Sequence, residues 1–101
     1  MSLLTARIQF TRMIPRLINK AFEMGFEVSG GDLFRDPRCP YGSQRSKHHK
    51  GLAIDLNLYM NGNYLEDTQD HQYLGEWWES QGGTWGGRFG DGNHYEWPES
   101  V

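Results

Sequence analysis

The chain has 101 residues, a net charge of −3, 37% hydrophobic and 14% aromatic content, enough for one domain spanning 1–101 and too little for two. Without an overall basic balance nucleic acid is not the natural partner, and no run approaches the ~20 apolar residues needed to cross a bilayer, so stable membrane insertion is not expected. One cysteine, Cys39, excludes an internal disulfide and a cysteine-rich metal cage.

The charge is unevenly spread. Residues 1–50 carry nine Lys or Arg against four acids, and residues 51–101 carry Arg88 against nine acids. A basic half can attract an anionic polymer, but two solvated faces account for the asymmetry more simply. The first residues, Met1-Ser2-Leu3-Leu4-Thr5-Ala6-Arg7, lack the basic-then-apolar order of a signal peptide. The expectation is a monomer made in the cytoplasm.

From Leu3 to about Gly25, apolar residues recur at helical spacing through Phe10, Ile14, Leu17, Ile18, Ala21 and Phe22, which predicts an amphipathic helix. Pro15 lies inside it and is expected to kink it or split it in two, because proline lacks a backbone donor and clashes with the preceding turn. Phe26-Glu27-Val28-Ser29 alternates as a short strand. Residues 32–50 are rich in turn signals and read as a long loop, which in a small domain is usually functional. It delivers Arg35, Arg38, Arg45, Lys47 and Lys50.

Leu52, Ile54, Leu56 and Leu58 then alternate with Ala53, Asp55, Asn57 and Tyr59, a period of two that predicts a strand with Asp55 opposite the apolar face. Asn61-Gly62 predicts a hairpin turn returning through Tyr64-Leu65. A helix is predicted from about Asp70 to Ser80, with Tyr73, Leu74, Trp77 and Trp78 on its buried side and Gly82-Gly83 as its stop. Residues 84–90 read as a glycine-rich connection, and His94-Tyr95-Glu96-Trp97 as a final strand. Together these elements predict an α+β domain: a small antiparallel sheet packed against an N-terminal helix and a second helix.

Two stretches carry chemistry. In Ser46-Lys47-His48-His49-Lys50-Gly51-Leu52-Ala53-Ile54-Asp55, an imidazole and a carboxylate stand seven residues apart. On one straight strand His48 and Asp55 would lie about 23 Å apart and on opposite faces, whereas two ligands of one zinc have donor atoms only ~3–4 Å apart. The chain must bend between them, and Gly51 is the residue best able to allow it. In Asp91-Gly92-Asn93-His94-Tyr95-Glu96, His94 would be a third ligand. Two histidines and a carboxylate leave one zinc position open, the mark of a catalytic site in which a bound water can be activated. A nearby acid must then take a proton from that water and pass it to a leaving amine. Asp91 is the candidate, with Glu96 in reserve.

The pattern Ser46-x-His48-x-x-Gly51-x-Ala53-x-Asp55, followed by Asp91-x-x-His94, resembles the M15 zinc peptidases, the group of D-alanyl-D-alanine carboxypeptidases and L-alanyl-D-glutamate endopeptidases that cut peptidoglycan stem peptides. The likeness is strongest to the short phage endolysins and extends to the Arg35-Asp36-Pro37-Arg38-Cys39-Pro40-Tyr41-Gly42 loop and to Trp85-Gly86-Gly87-Arg88-Phe89. The resemblance implies Zn2+ held by His48, Asp55 and His94, with Asp91 as base where many members have the longer Glu. It also implies an oxyanion-stabilising arginine, Arg35 or else Arg38. Ser46 would contact substrate or stand behind the ligands; apart from the resemblance, Glu96 and Trp85 are further candidates for substrate contact, Trp85 being read as core or groove wall. The implied function is amide hydrolysis in stem peptides, probed first as L-alanyl-D-glutamate cleavage by a phage or prophage endolysin that reaches the cell wall through another factor's export or through lysis. The alternatives are a D-alanyl-D-alanine carboxypeptidase, a non-catalytic zinc or peptidoglycan-binding protein, and a metal-dependent nuclease using His48, Asp55, Asn57 and His94. The zinc is expected at the open edge of the sheet.

Overall fold

The computed structural model describes residues 2–31, 47 and 50–99. Helix α1 (Leu3–Glu23) begins where the Ser2 hydroxyl accepts the Thr5 N–H at 3.1 Å, one of the orphan donors of a first turn. Its buried residues, Ala6, Phe10, Met13, Leu17 and Ala21, recur every three or four positions and form one apolar stripe. Leu3 and Phe22, which the spacing assigned to that stripe, are exposed. The expected division at Pro15 does not occur. The helix is continuous through Pro15, which sits on its exposed side, where water can satisfy the carbonyl left without a partner.

Strands β1 (Glu27–Gly30), β2 (Ala53–Met60), β3 (Asn63–Leu65), β4 (Thr84–Trp85) and β5 (His94–Glu96) form one antiparallel sheet in the order β1-β2-β5-β4, with β3 also on β2. The sheet packs against α1 and α2 (Gln72–Ser80), so the domain is α+β as expected. The alternation along β2 holds: Leu52, Ile54, Leu56 and Leu58 are buried in the core. The β2–β3 hairpin turns through Asn61 and Gly62 with φ of 53° and 78°, the two left-handed residues that a type I′ turn requires.

Before α2, a 3-10 turn covers Thr68–His71, where the Asp70 carboxylate accepts the Asp67 N–H at 3.1 Å. Leu74, Gly75 and Trp78 face the core, whereas Tyr73 is 76% exposed. The buried side of α2 is therefore narrower than its aromatic content suggests. The glycine-rich connection conceals a strand, β4, and a 3-10 turn, Gly86–Phe89. Its glycines serve packing: a Cβ on Gly87 would enter the Trp85 indole, and one on Gly83 the Trp78 indole. Trp78 makes edge-on contacts with Phe10 and Tyr95 and packs on Trp97 at 5.3 Å between centroids. No helix of the described residues is long and apolar enough to cross a membrane.

Candidate metal centre

Because β2 and β5 run antiparallel, residues 39 or more apart in sequence become direct neighbours. Asp55 and His94 are register partners, as are Ala53 and Glu96. Since Ile54 and Tyr95 point into the core, Asp55, His94 and Glu96 project from the opposite face. The pair thus lies between the two central strands, not at an open edge of the sheet. Backbone bonds hold Asp55 from both sides: its carbonyl accepts Gly31 N–H at 2.7 Å, and the next N–H, of Leu56, donates to Asn93 O at 2.8 Å.

The turn that presents His94 is fastened separately. Trp85 Nε1 donates to Gly92 O at 2.8 Å, and His94 N donates to Asp91 O at 3.2 Å. A Cβ on Gly92 would meet Thr68 Cα at 2.6 Å, so only glycine allows the turn to lie this close to the 3-10 segment. Trp85, read as core or groove wall and named as a candidate for substrate contact, is buried and holds Gly92 from beneath. Phe89, noted in the sequence only as the end of the 85–89 likeness and given no role there, is exposed and meets the His94 ring edge-on at 6.1 Å. A lone aromatic among glycines carried no signal for that contact.

The two nitrogens of His94 have different surroundings. Nδ1 lies 3.6 Å from Asp55 Oδ1 and 3.9 Å from Asp91 Oδ2, whereas Nε2 lies 2.8 Å from Glu96 Oε1. The His94 residue is 7% exposed. Burial disfavours its charged form, but the Asp55 and Glu96 carboxylates, with the charge of Asp91, outweigh burial and raise its pKa to about 9. A metal would have to displace that proton.

The Asp55–His94 pair fits zinc. Two ligands on a tetrahedral zinc, with bonds of about 2.0–2.2 Å, have donor atoms roughly 3.3–3.6 Å apart. Asp55 Oδ1 and His94 Nδ1, 3.6 Å apart, meet that separation. Asp91 has a 54% exposed side chain and stands slightly farther from the same nitrogen, at 3.9 Å.

His48, Arg35, Arg38 and Ser46 lie outside the described residues. Among the described residues no group of three or more His, Cys, Asp or Glu forms a metal cage, and the fold brings together Asp55, His94, Asp91 and Glu96. Gly51, the expected bend before Asp55, has a left-handed φ of 72°, a conformation glycine adopts without steric cost.

No curated protein matches the chain. A peptidase M15 family model, described as D-alanyl-D-alanine carboxypeptidase, matches residues 41–97, a stretch that takes in both chemical motifs and the strands that pair them. The chain therefore belongs to the M15 peptidase family.

Proposed function

We propose that the protein is a zinc-dependent hydrolase of peptidoglycan stem peptides, cutting the L-alanyl-D-glutamate bond as an endolysin does. The observation that carries this reading is the register pairing of Asp55 with His94, which sets a carboxylate oxygen and an imidazole nitrogen 3.6 Å apart with Asp91 beside them. His48, Asp55 and His94 would hold the ion. When bound, zinc supplies Lewis acidity toward the scissile carbonyl and toward water.

The remaining work belongs to the chain. Asp91 accepts a proton from the attacking water as its oxygen bonds to the L-alanyl carbonyl carbon, then delivers that proton to the departing D-glutamyl nitrogen as the C–N bond breaks. Asp is one methylene shorter than Glu, and its place in the turn before His94 keeps it near the site. Arg35, or Arg38 in its place, would stabilise the developing oxyanion, and Ser46 would contact substrate. The strength of the sequence likeness to short endolysins favours the endopeptidase reading. The family description favours a second one, D-alanyl-D-alanine carboxypeptidase.

Digestion of purified peptidoglycan followed by mass spectrometry of the new termini separates them. New L-alanyl carboxyl and D-glutamyl amino termini are expected. Release of free D-alanine alone would move the assignment to the carboxypeptidase, and full activity after exhaustive chelation would defeat the zinc reading.

A further inference from the structure

Glu96 belongs to the candidate centre, yet its carboxylate meets the ring nitrogen opposite the one that Asp55 and Asp91 face. Its Oε1 is 2.8 Å from His94 Nε2, a charge-assisted hydrogen-bond distance. That is too short for two donors sharing a tetrahedral zinc, which need roughly 3.3–3.6 Å. The Asp55 and Asp91 oxygens lie instead at 3.6 and 3.9 Å from the other nitrogen, Nδ1. The carboxylates therefore divide around one ring: two stand where an ion would sit and the third stands behind it.

The backbone makes this arrangement rigid. β5 is an interior strand, with Glu96 opposite Ala53 on one side and Thr84 on the other. The Trp78 indole donates to Glu96 O at 3.0 Å. His94 and Glu96 are two apart on one strand, so both side chains rise from the same face. Ala53, the small residue across from Glu96, leaves its carboxylate free to lean toward the ring. The Glu96 side chain is 19% exposed, which limits competition from water.

We propose that Glu96 is a positioning residue for the metal: by accepting the Nε2–H of His94 it fixes the imidazole tautomer and orientation that present the Nδ1 lone pair beside Asp55. This inference rests on the zinc reading above. Such outer carboxylates typically contribute 10–100-fold in metal affinity. Glu96 is thereby removed from the reserve role of base and from substrate contact, which leaves Asp91 as the acid facing the reacting side.

The test is zinc affinity, measured by competition against a chromophoric chelator, together with the tautomer of His94 read from long-range nitrogen–proton correlation spectra of the zinc-loaded protein. Glu96→Ala is expected to bind zinc about 10–100-fold more weakly. Glu96→Gln keeps an oxygen acceptor for Nε2–H and is expected to restore most of the affinity and the proton on Nε2. Wild-type affinity in Glu96→Ala would overturn the proposal, and so would undiminished zinc binding with turnover lost in Glu96→Gln, the behaviour of a base. If Glu96→Ala melts early, the wild-type spectrum decides: a ring with its proton on Nδ1 and zinc on Nε2 refutes the assignment. His94→Ala tests the underlying reading separately, because unchanged zinc affinity there would reject the metal centre whatever Glu96 does.

Discussion

His71 and His94 are both buried, at 2% and 7% exposure, yet one ring is neutral and the other charged at pH 7. His71 lies on the core side of β5, where the Tyr95 hydroxyl meets its Nδ1 at 2.7 Å. Burial lowers its pKa to about 4, against a smaller opposing pull from Asp70. Burial also drives the Tyr95 hydroxyl up, so the phenol keeps its proton and shares a hydrogen bond with the neutral imidazole. One strand face away, His94 is ringed by Asp55, Asp91 and Glu96 and titrates near 9. Equal burial yields a structural histidine in one place and a candidate ligand in the other because the neighbours differ. A hydroxyl satisfies a neutral ring, while a set of carboxylates calls for a cation, either a proton or a metal.

Removing each histidine should separate these roles most sharply. His94→Ala is expected to weaken zinc binding on the order of 10³-fold, since one of three protein ligands carries about a third of a binding energy that is roughly 10–16 kcal/mol in structural zinc sites. His71→Ala should leave zinc affinity near wild type while lowering the melting temperature. Chelator competition and thermal melts on the same samples check both. Equal losses of zinc affinity in the two variants would erase the distinction.

The carboxylates around His94 should differ in turn. Asp91→Asn is expected to retain zinc and to lower kcat/KM by about 10²–10⁴-fold, the usual worth of a positioned general base. Steady-state assays on a synthetic stem peptide alongside zinc titration measure the split. Joint loss of zinc and activity would make Asp91 a ligand.

The two rings should also bend the pH profile of the metal-free protein in opposite directions. His71 has a folded-state pKa below its unfolded value of 6.5, so its contribution is present above pH 6.5 and is lost as pH falls toward about 4. That gap corresponds to about 3 kcal/mol. His94 has a folded-state pKa above 6.5, so its contribution is complete below pH 6.5 and is lost as pH rises through about 9. Urea unfolding between pH 4 and 9 measures both limbs. In His71→Asn the acid limb should flatten. The smallest effect is expected for Tyr95→Phe, which removes one buried hydrogen bond and should cost about 1–2 kcal/mol at pH 7 without altering zinc affinity.

Local pattern carried much of this architecture. Alternation from Leu52 to Tyr59 placed β2 and turned Asp55 away from the core, because side chains on a strand switch sides at every residue. Asn61-Gly62 located a turn that needs two left-handed residues. The spacing from Phe10 to Ala21 secured α1. Helical spacing could not reveal that Tyr73 would be exposed, since that depends on how much of α2 the sheet covers. Nor could the glycine-rich stretch 82–92 disclose β4, whose two residues become a strand only by pairing with β5.

The site divides along the same line. Residue type and spacing alone nominated Asp55, Asp91, His94 and Glu96, because carboxylates and imidazoles are the groups that bind ions and move protons. Their division of labour needed the fold. The β2–β5 register set Asp55 against His94, the turn held by Trp85 brought Asp91 to the same nitrogen, and Glu96 fell behind the ring. A strand records which way each side chain points, but a distance of 3.6 Å between residues 39 positions apart exists only after two strands have chosen their pairing, and packing of the whole core makes that choice.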